Sequence, residues 1–237
     1  MFELTNITKE FLHRKVFDNF KLTFEAGKVY AIIGQSGSGK TTLLNMIAKL
    51  ESYEGSILYE GKELSKIKKH SYFLNDLSYL FQNFGLIENE TIDKNLDLGL
   101  INQKLSKKTK QEKKLETLAQ VNVAYLKLNQ KIYELSGGEA QRVALAKAIL
   151  KDSPVILADE PTAALDSENS EEVMKLLLSM KNENRIIIIA THNPVIWEMA
   201  DEVVELSRYR VIDMKKYIVF TFILGLLSFF LPFLLEF

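Results

Sequence analysis

Along this chain, short uninterrupted apolar runs alternate with stretches whose apolar residues recur every three or four positions. The runs at Val29–Ile33, Ser78–Gln82, Val155–Ala158 and Ile186–Ala190 read as strands. Ile186–Ala190 is IIIIA, with no polar alternation, which predicts a strand buried on both faces, as in a parallel sheet covered by helices. Helical spacing predicts helices at Lys40–Lys49, Thr91–Leu100, Gly137–Leu150 and Asn169–Met180. Strands alternating with helices give an α/β core. Shorter strand-like pieces at Phe2–Ile7, Lys21–Phe24 and Gly55–Tyr59 predict a small antiparallel addition. The stretch 84–134 carries mainly helical signals and predicts a helical insert.

The apolar pattern changes once more near the end. Residues 102–116 are polar and lysine-rich, whereas the 19 residues Tyr217–Leu235 contain no charged side chain. As a helix that stretch would span about 28 Å at 1.5 Å per residue, close to the roughly 30 Å hydrocarbon core of a bilayer. Arg208, Arg210, Lys215 and Lys216 precede it, so the positive-inside rule keeps the preceding body in the cytosol. The expected layout is a core over 1–208, a basic link over 209–216 and a transmembrane helix over 217–235. The run that begins at Met214 with two lysines also reads like the start of a separate membrane protein. A membrane anchor, a permease fusion and a merged reading frame therefore all stand open.

Composition narrows the chemistry. With 30 basic and 31 acidic residues the net charge is −1, which gives no global electrostatic reason to expect a nucleic acid partner. The absence of cysteine excludes disulfides, thiolate metal sites and cysteine nucleophiles. The first residues lack the apolar core of a cleavable signal peptide.

The strand VYAII is followed by GQSGSGKTT: Gly34, Gln35, Ser36, Gly37, Ser38, Gly39, Lys40, Thr41 and Thr42. This matches G-x-x-x-x-G-K-[ST] between a strand and a helix, the context the motif requires. The glycines allow consecutive backbone N–H groups to face one anion, and the following helix adds the positive end of its dipole. Lys40 is placed to reach the β/γ-phosphates, and the Thr41 hydroxyl to hold Mg²⁺. The apolar strand VILADE ends in two acids. Asp159 is placed to bind Mg²⁺ opposite Thr41, and Glu160 to polarise the water that attacks the γ-phosphate. Together these elements read as a P-loop NTPase. A second helix opens at Ser136-Gly137-Gly138-Glu139, which is either a second anion site or an ordinary N-cap.

LSGGE before VILADEPTAALD resembles the signature of ATP-binding cassette (ABC) ATPases, and the resemblance spans roughly residues 1–208. It implies an α/β P-loop core with an antiparallel β subdomain and a helical subdomain. It also implies a head-to-tail dimer with two ATP at the interface, each held by one chain's phosphate loop and the other's signature, Ser136–Glu139. By the same resemblance Phe11 stacks on adenine, with Phe17 a weaker candidate. Gln82 contacts Mg²⁺ and water, and Asp166 communicates between the two sites. His192 contacts the γ-phosphate and positions the attacking water. Catalysis is thus expected from Glu160, His192 and Gln82, with Mg²⁺ held by Thr41, Gln82 and Asp159.

The insert of such cassettes docks on a membrane permease. The stretch FQNFGLIENETIDKNLDLGL and the motif DEPTAALD are most similar to ATPases of the lipoprotein-release and macrolide-efflux type, and within it resemble the ATPase subunits of bacteriocin exporters. The implied role is an export motor on the cytoplasmic face of the membrane, for a peptide, lipid-linked or drug-like substrate. Soluble ABC proteins acting on ribosomes or nucleic acid, and import ATPases, are the rival classes; the former carry two cassettes or a long coiled-coil insert. The lysine run at 104–114 reads as a solvated helix face, with lipid headgroups as its other possible neighbour.

Overall fold

The structure, a computed structural model, describes residues 1–12, 14–162, 167–207 and 210–213. Two sheets carry the architecture. The first joins β1 (Phe2–Phe11), β2 (Arg14–Phe24), β4 (Glu54–Tyr59) and β5 (Lys62–Glu63) in the order β2-β1-β4-β5, all antiparallel. The second joins β3 (Val29–Ile33), β6 (Leu77–Leu80), β7 (Val155–Asp159), β8 (Ile186–Ala190), β9 (Glu202–Glu205) and β10 (Arg210–Asp213). Its order is β10-β9-β3-β8-β7-β6, parallel except for β10. The α/β core and the antiparallel addition are therefore both present.

The buried strands of the second sheet explain why their sequences lack polar alternation. All five residues of β7 and all five of β8 are buried. Successive side chains of a strand point to opposite faces, so each strand feeds two cores. Ile187, Ile189, Ile156 and Ala158 join one core with α5 (Gly137–Lys151) and α6 (Ser167–Ser179). Ile186, Ile188, Val155 and Leu157 join the other with α1 (Lys40–Ile47) and the inner residues of the antiparallel sheet, among them Phe2, Leu4 and Ile57. Helix α1 is thus wedged between two sheets. That packing fixes the phosphate loop at its N-terminus.

Several boundaries moved for local reasons. Helix α1 stops two residues before the expected Lys49. Lys49 is left-handed at φ 59°, and its ammonium caps the carbonyls of Leu64, Ser65 and Ile67. The helix expected at Thr91–Leu100 starts as α3 (Ile92–Asp97), capped by the Thr91 hydroxyl accepting from the Lys94 N–H at 3.2 Å, and tightens into a 3₁₀ turn at Leu98–Leu100. Two short helices, α2 (Lys69–Asn75) and α7 (Pro194–Glu198), were not expected, because each is too short to display helical periodicity.

The lysine run needs a correction. It lies on the turn before and the first half of α4 (Lys107–Gln120). Lys104, Lys107, Lys108 and Lys113 are exposed, but Lys114 is buried at 3 % exposure. Its ammonium sits 2.7 Å from both Asp93 Oδ1 and Asp97 Oδ1 and donates to the Asp93 carbonyl at 3.0 Å. Two carboxylates and a carbonyl make that burial tolerable, so Lys114 ties α4 to α3 rather than facing solvent.

Among the described residues no helix is long and apolar enough to cross a membrane. The stretch 217–235, together with residues 209 and 214–216 of the link, lies outside the described residues.

Candidate functional site

A cleft of about 700 Å³ opens where the C-terminal ends of β3 and β7 meet the tip of the β1–β2 hairpin. The end of a parallel strand that feeds a helix is where an open α/β sheet binds ligands. The loop from Gly34 to Gly39 forms the floor, with Lys40, Thr41 and Thr42 opening α1 behind it. Gly39 caps α1 in a left-handed conformation at φ 101°. A Cβ there would stand 2.5 Å from Val16 Cγ1 and 3.0 Å from the Phe17 ring. Only glycine satisfies both the dihedral and the contact with β2. Lys40 Nζ donates to the Gly34 carbonyl at 2.9 Å and approaches Gln35 O at 3.5 Å, so the cation sits inside the curl of the loop. The Ser38 hydroxyl is buried beneath the loop.

Opposite the loop stand the acids of β7. Asp159 is 4 % exposed and bonded by the Thr41 hydroxyl. Burial holds its carboxyl above the usual carboxylate range; Thr41 and Lys40 pull the other way, and Glu160 adds to the rise. Its Oδ1 is buried without a hydrogen-bond partner. A buried carboxylate oxygen beside a hydroxyl, at the rim of an anion cradle, fits a divalent cation that would satisfy it. Among the described residues no group of three or more His, Asp or Glu could hold a metal ion.

Glu160 follows directly, in a left-handed conformation at φ 48° held by its N–H donating to the Ala190 carbonyl at 2.9 Å. Such a conformation is costly for a residue with a Cβ and concentrates at functional sites. It turns the Glu160 side chain into the cleft, where Oε2 lies 2.9 Å from His192 Nδ1. His192 comes off the end of β8, and the Thr191 hydroxyl accepts from the Asn193 N–H to shape that turn. Gln82, just past β6, completes the wall. Glu160, His192, Gln82 and the whole phosphate loop except the buried Ser38 therefore share one cleft.

At the hairpin tip, Phe11 lines the same cleft and is 41 % exposed. Lys9 Nζ lies 4.5 Å from the ring centroid, and a 2.8 Å bond to Glu51 holds it there. One face of the ring is thereby braced by a cation. Phe17 is corrected: it is 5 % exposed, packs on Phe20 with ring centroids 4.8 Å apart, and supports the loop from below. Arg14 and Val16 also line the cleft. Arg14 carries no sequence signal, because one arginine among 30 basic residues shows its role only through its neighbours in space.

The second anion-type helix start is elsewhere. Ser136 caps α5 in a reciprocal capping box: its hydroxyl oxygen accepts from the Glu139 N–H at 3.3 Å, and its own N–H donates to Glu139 Oε2 at 2.8 Å, with the Ser136 hydroxyl also donating to that oxygen at 2.7 Å. These bonds and one from the Tyr125 hydroxyl hold the Glu139 carboxyl below its ordinary value. The segment is thus an N-cap, and it leaves Ser136 and Gly137 exposed. Neither these residues nor Gly138 line the cleft; within one chain this helix start lies apart from the phosphate loop. Asp166 lies outside the described residues.

Comparison with known proteins agrees with this geometry. Residues 17–163 match the family model described as ABC transporter. The macrolide export ATP-binding/permease protein MacB of Campylobacter jejuni is 35% identical over 223 residues, covering 91% of this chain but 34% of MacB. The chain thus spans about a third of the length of that relative. The uncharacterized ABC transporter ATP-binding protein YclH of Bacillus subtilis is 34% identical over 195 residues, covering 81% of this chain and 86% of YclH. A solved ATP-binding cassette, described as a dimer in a post-hydrolysis state with ADP and Pi, superposes with a TM-score of 0.81 at 30% identity, covering 90% of this chain and 99% of its own. The chain belongs to the ABC transporter family and carries that family's ATP-hydrolysing cassette.

Proposed function

We propose that this cassette is the motor of an exporter: two copies close head to tail on two ATP, and hydrolysis reopens them to drive a membrane permease. The observation that carries this reading is the separation of the anion sites. The cleft holds the phosphate loop, Gln82, Glu160 and His192, with Asp159 buried next to Glu160, while Ser136–Glu139 lies outside it with Ser136 and Gly137 exposed. A second copy is the natural source of the missing half, and the similar cassette solved as a dimer supports it.

In the proposed reaction Lys40 and the loop N–H groups bind the β- and γ-phosphates. Phe11 stacks on adenine, and Asp166 of each chain relays between the sites. Mg²⁺, held by Thr41, Asp159 and Gln82, would supply charge neutralisation on the phosphate oxygens. Glu160 accepts a proton from the attacking water, whose oxygen bonds to the γ-phosphorus as the bond to the ADP oxygen breaks. His192 holds Glu160 through Nδ1 and orients the water. Most of the acceleration then comes from positioning and charge stabilisation.

Likeness to MacB, named for macrolide export, supports an exporter and a drug-like substrate; a peptide or lipid-linked substrate belongs to the same proposal on the sequence resemblance. It also supports placement at the cytoplasmic face of the membrane, with no role for nucleic acid. The exposed side chains of Leu98 and Ile101, at 40 % and 58 %, border a groove of about 270 Å³ between α2, β6 and the insert, a surface suited to an apolar permease segment. The test is hydrolysis by the purified chain with its co-expressed permease and, separately, with ribosomes. Stimulation by the permease is expected; stimulation by ribosomes alone would overturn the reading.

The composition of 217–235 supports a membrane helix, whether anchor or first permease span. The full chain is then expected in the membrane fraction without partners, and a version ending at Asp213 in the supernatant. Equal partitioning of the two would sink that part of the proposal.

A further inference from the structure

The β1–β2 hairpin ends on a cross-strand pair, Phe11 opposite Arg14. The Arg14 guanidinium reaches across the cleft rim, and Nη2 donates to the Gly37 carbonyl at 2.9 Å. The fork lies along the face of Gly37: a Cβ there would be 3.4 Å from Nη1, 3.6 Å from Nη2 and 3.9 Å from Cζ. Among the described residues no carboxylate pairs with Arg14. Its charge therefore adds to that of Lys40 in the cleft that binds anions.

The position of that bond matters. Gly37 sits at φ 76° in the middle of the phosphate loop, and glycine exchanges peptide orientations at little cost. A loop N–H can point at a phosphate only while the carbonyls beside it point elsewhere. The Gly37 carbonyl is turned outward onto a guanidinium, and a charge-assisted bond of this kind is stronger than a neutral one. Farther along the same strand, Val16 and Phe17 contact the loop at Gly39. One strand thus touches the loop at two glycines and, through the pair at its tip, carries the aromatic platform.

We infer that Arg14 is a positioning residue: it holds the Gly37 peptide outward, so that the phosphate loop is preformed before nucleotide arrives, and it couples that state to the Phe11 platform. This rests on the cassette binding ATP as proposed above. A preformed site loses less freedom on binding, so removing the clamp should weaken every nucleotide that uses the loop, and should do so without slowing the chemical step.

The test compares the wild-type chain with Arg14→Met, which keeps the apolar stem, and Arg14→Lys, which keeps the charge. For Arg14→Met the expected results are about tenfold weaker binding of both ATP and ADP by calorimetry, a KM raised by a similar factor and kcat within about twofold. Amide exchange over residues 34–39 of the nucleotide-free protein should be faster than in wild type. Arg14→Lys should recover part of each effect. Unchanged loop exchange with unchanged affinity would overturn the inference, as would a loss confined to ATP, which would place Arg14 on the γ-phosphate instead. If wild-type protein itself failed to bind ATP, the motor reading would fall, and the two failures are thereby distinct.

Discussion

Glu160→Gln is expected to lower steady-state ATP hydrolysis by about 10²–10⁴-fold while ATP stays bound. The amide is nearly isosteric, and the features that aim the side chain are retained, because the left-handed backbone at φ 48° and the N–H bond to Ala190 belong to the main chain. What disappears is a group able to accept the water's proton in the transition state. The nucleotide contacts, which lie on the loop and Lys40, are untouched. ATP should therefore accumulate in a closed dimer that elutes earlier on size exclusion in the presence of Mg²⁺ and ATP than without them. The pair to His192 Nδ1 at 2.9 Å gives a second handle: His192→Ala should also reduce turnover, through a looser Glu160. Full hydrolysis by purified Glu160→Gln protein would show that the carboxylate is not the base.

Lys40→Ala should act one step earlier, on binding. The ammonium lies 2.9 Å from the Gly34 carbonyl and inside the loop, so it meets the β- and γ-phosphates without moving far. Bonds to charged groups are worth about 1.5–3 kcal/mol, and the larger part of that range corresponds to roughly 30- to 150-fold weaker binding. The loss should appear directly in calorimetry. It should also appear as a lost thermal shift, since a ligand at 100 times its Kd stabilises the folded state by about 2.7 kcal/mol. Lys40→Ala protein that binds MgATP like wild type would contradict the assigned role. The two variants separate binding from chemistry: one should hold ATP without hydrolysing it, and the other should scarcely hold it.

Much of this site was legible in the chain because its parts are local. GQSGSGKTT contains the turn, the helix start, the cation and the hydroxyl within nine residues, and backbone geometry alone brings them together. VILADE ends its strand on both acids for the same reason. The runs Val155–Ala158 and Ile186–Ala190 were found because burial on two faces leaves no polar residue to interrupt them. Other features depend on partners far away in sequence. Arg14 meets a carbonyl 23 residues on, and Lys114 meets Asp93 21 residues back. A basic residue looks the same in sequence whether it faces water, two carboxylates or a phosphate loop. Phe11 and Phe17 are likewise indistinguishable by composition, and only the folded structure shows one ring lining the cleft and the other buried.

The sequence by itself determined the phosphate loop and the two acids, because each is set by short-range covalent and hydrogen-bond geometry. Its buried apolar runs marked the α/β core, and the histidine was legible only through the family resemblance. Only the tertiary structure decided which aromatic is exposed, which lysine is buried, how Glu160 is turned toward His192, and that the signature lies outside its own chain's cleft. Those outcomes depend on which surfaces pack together, and packing is a property of the whole fold rather than of any one segment.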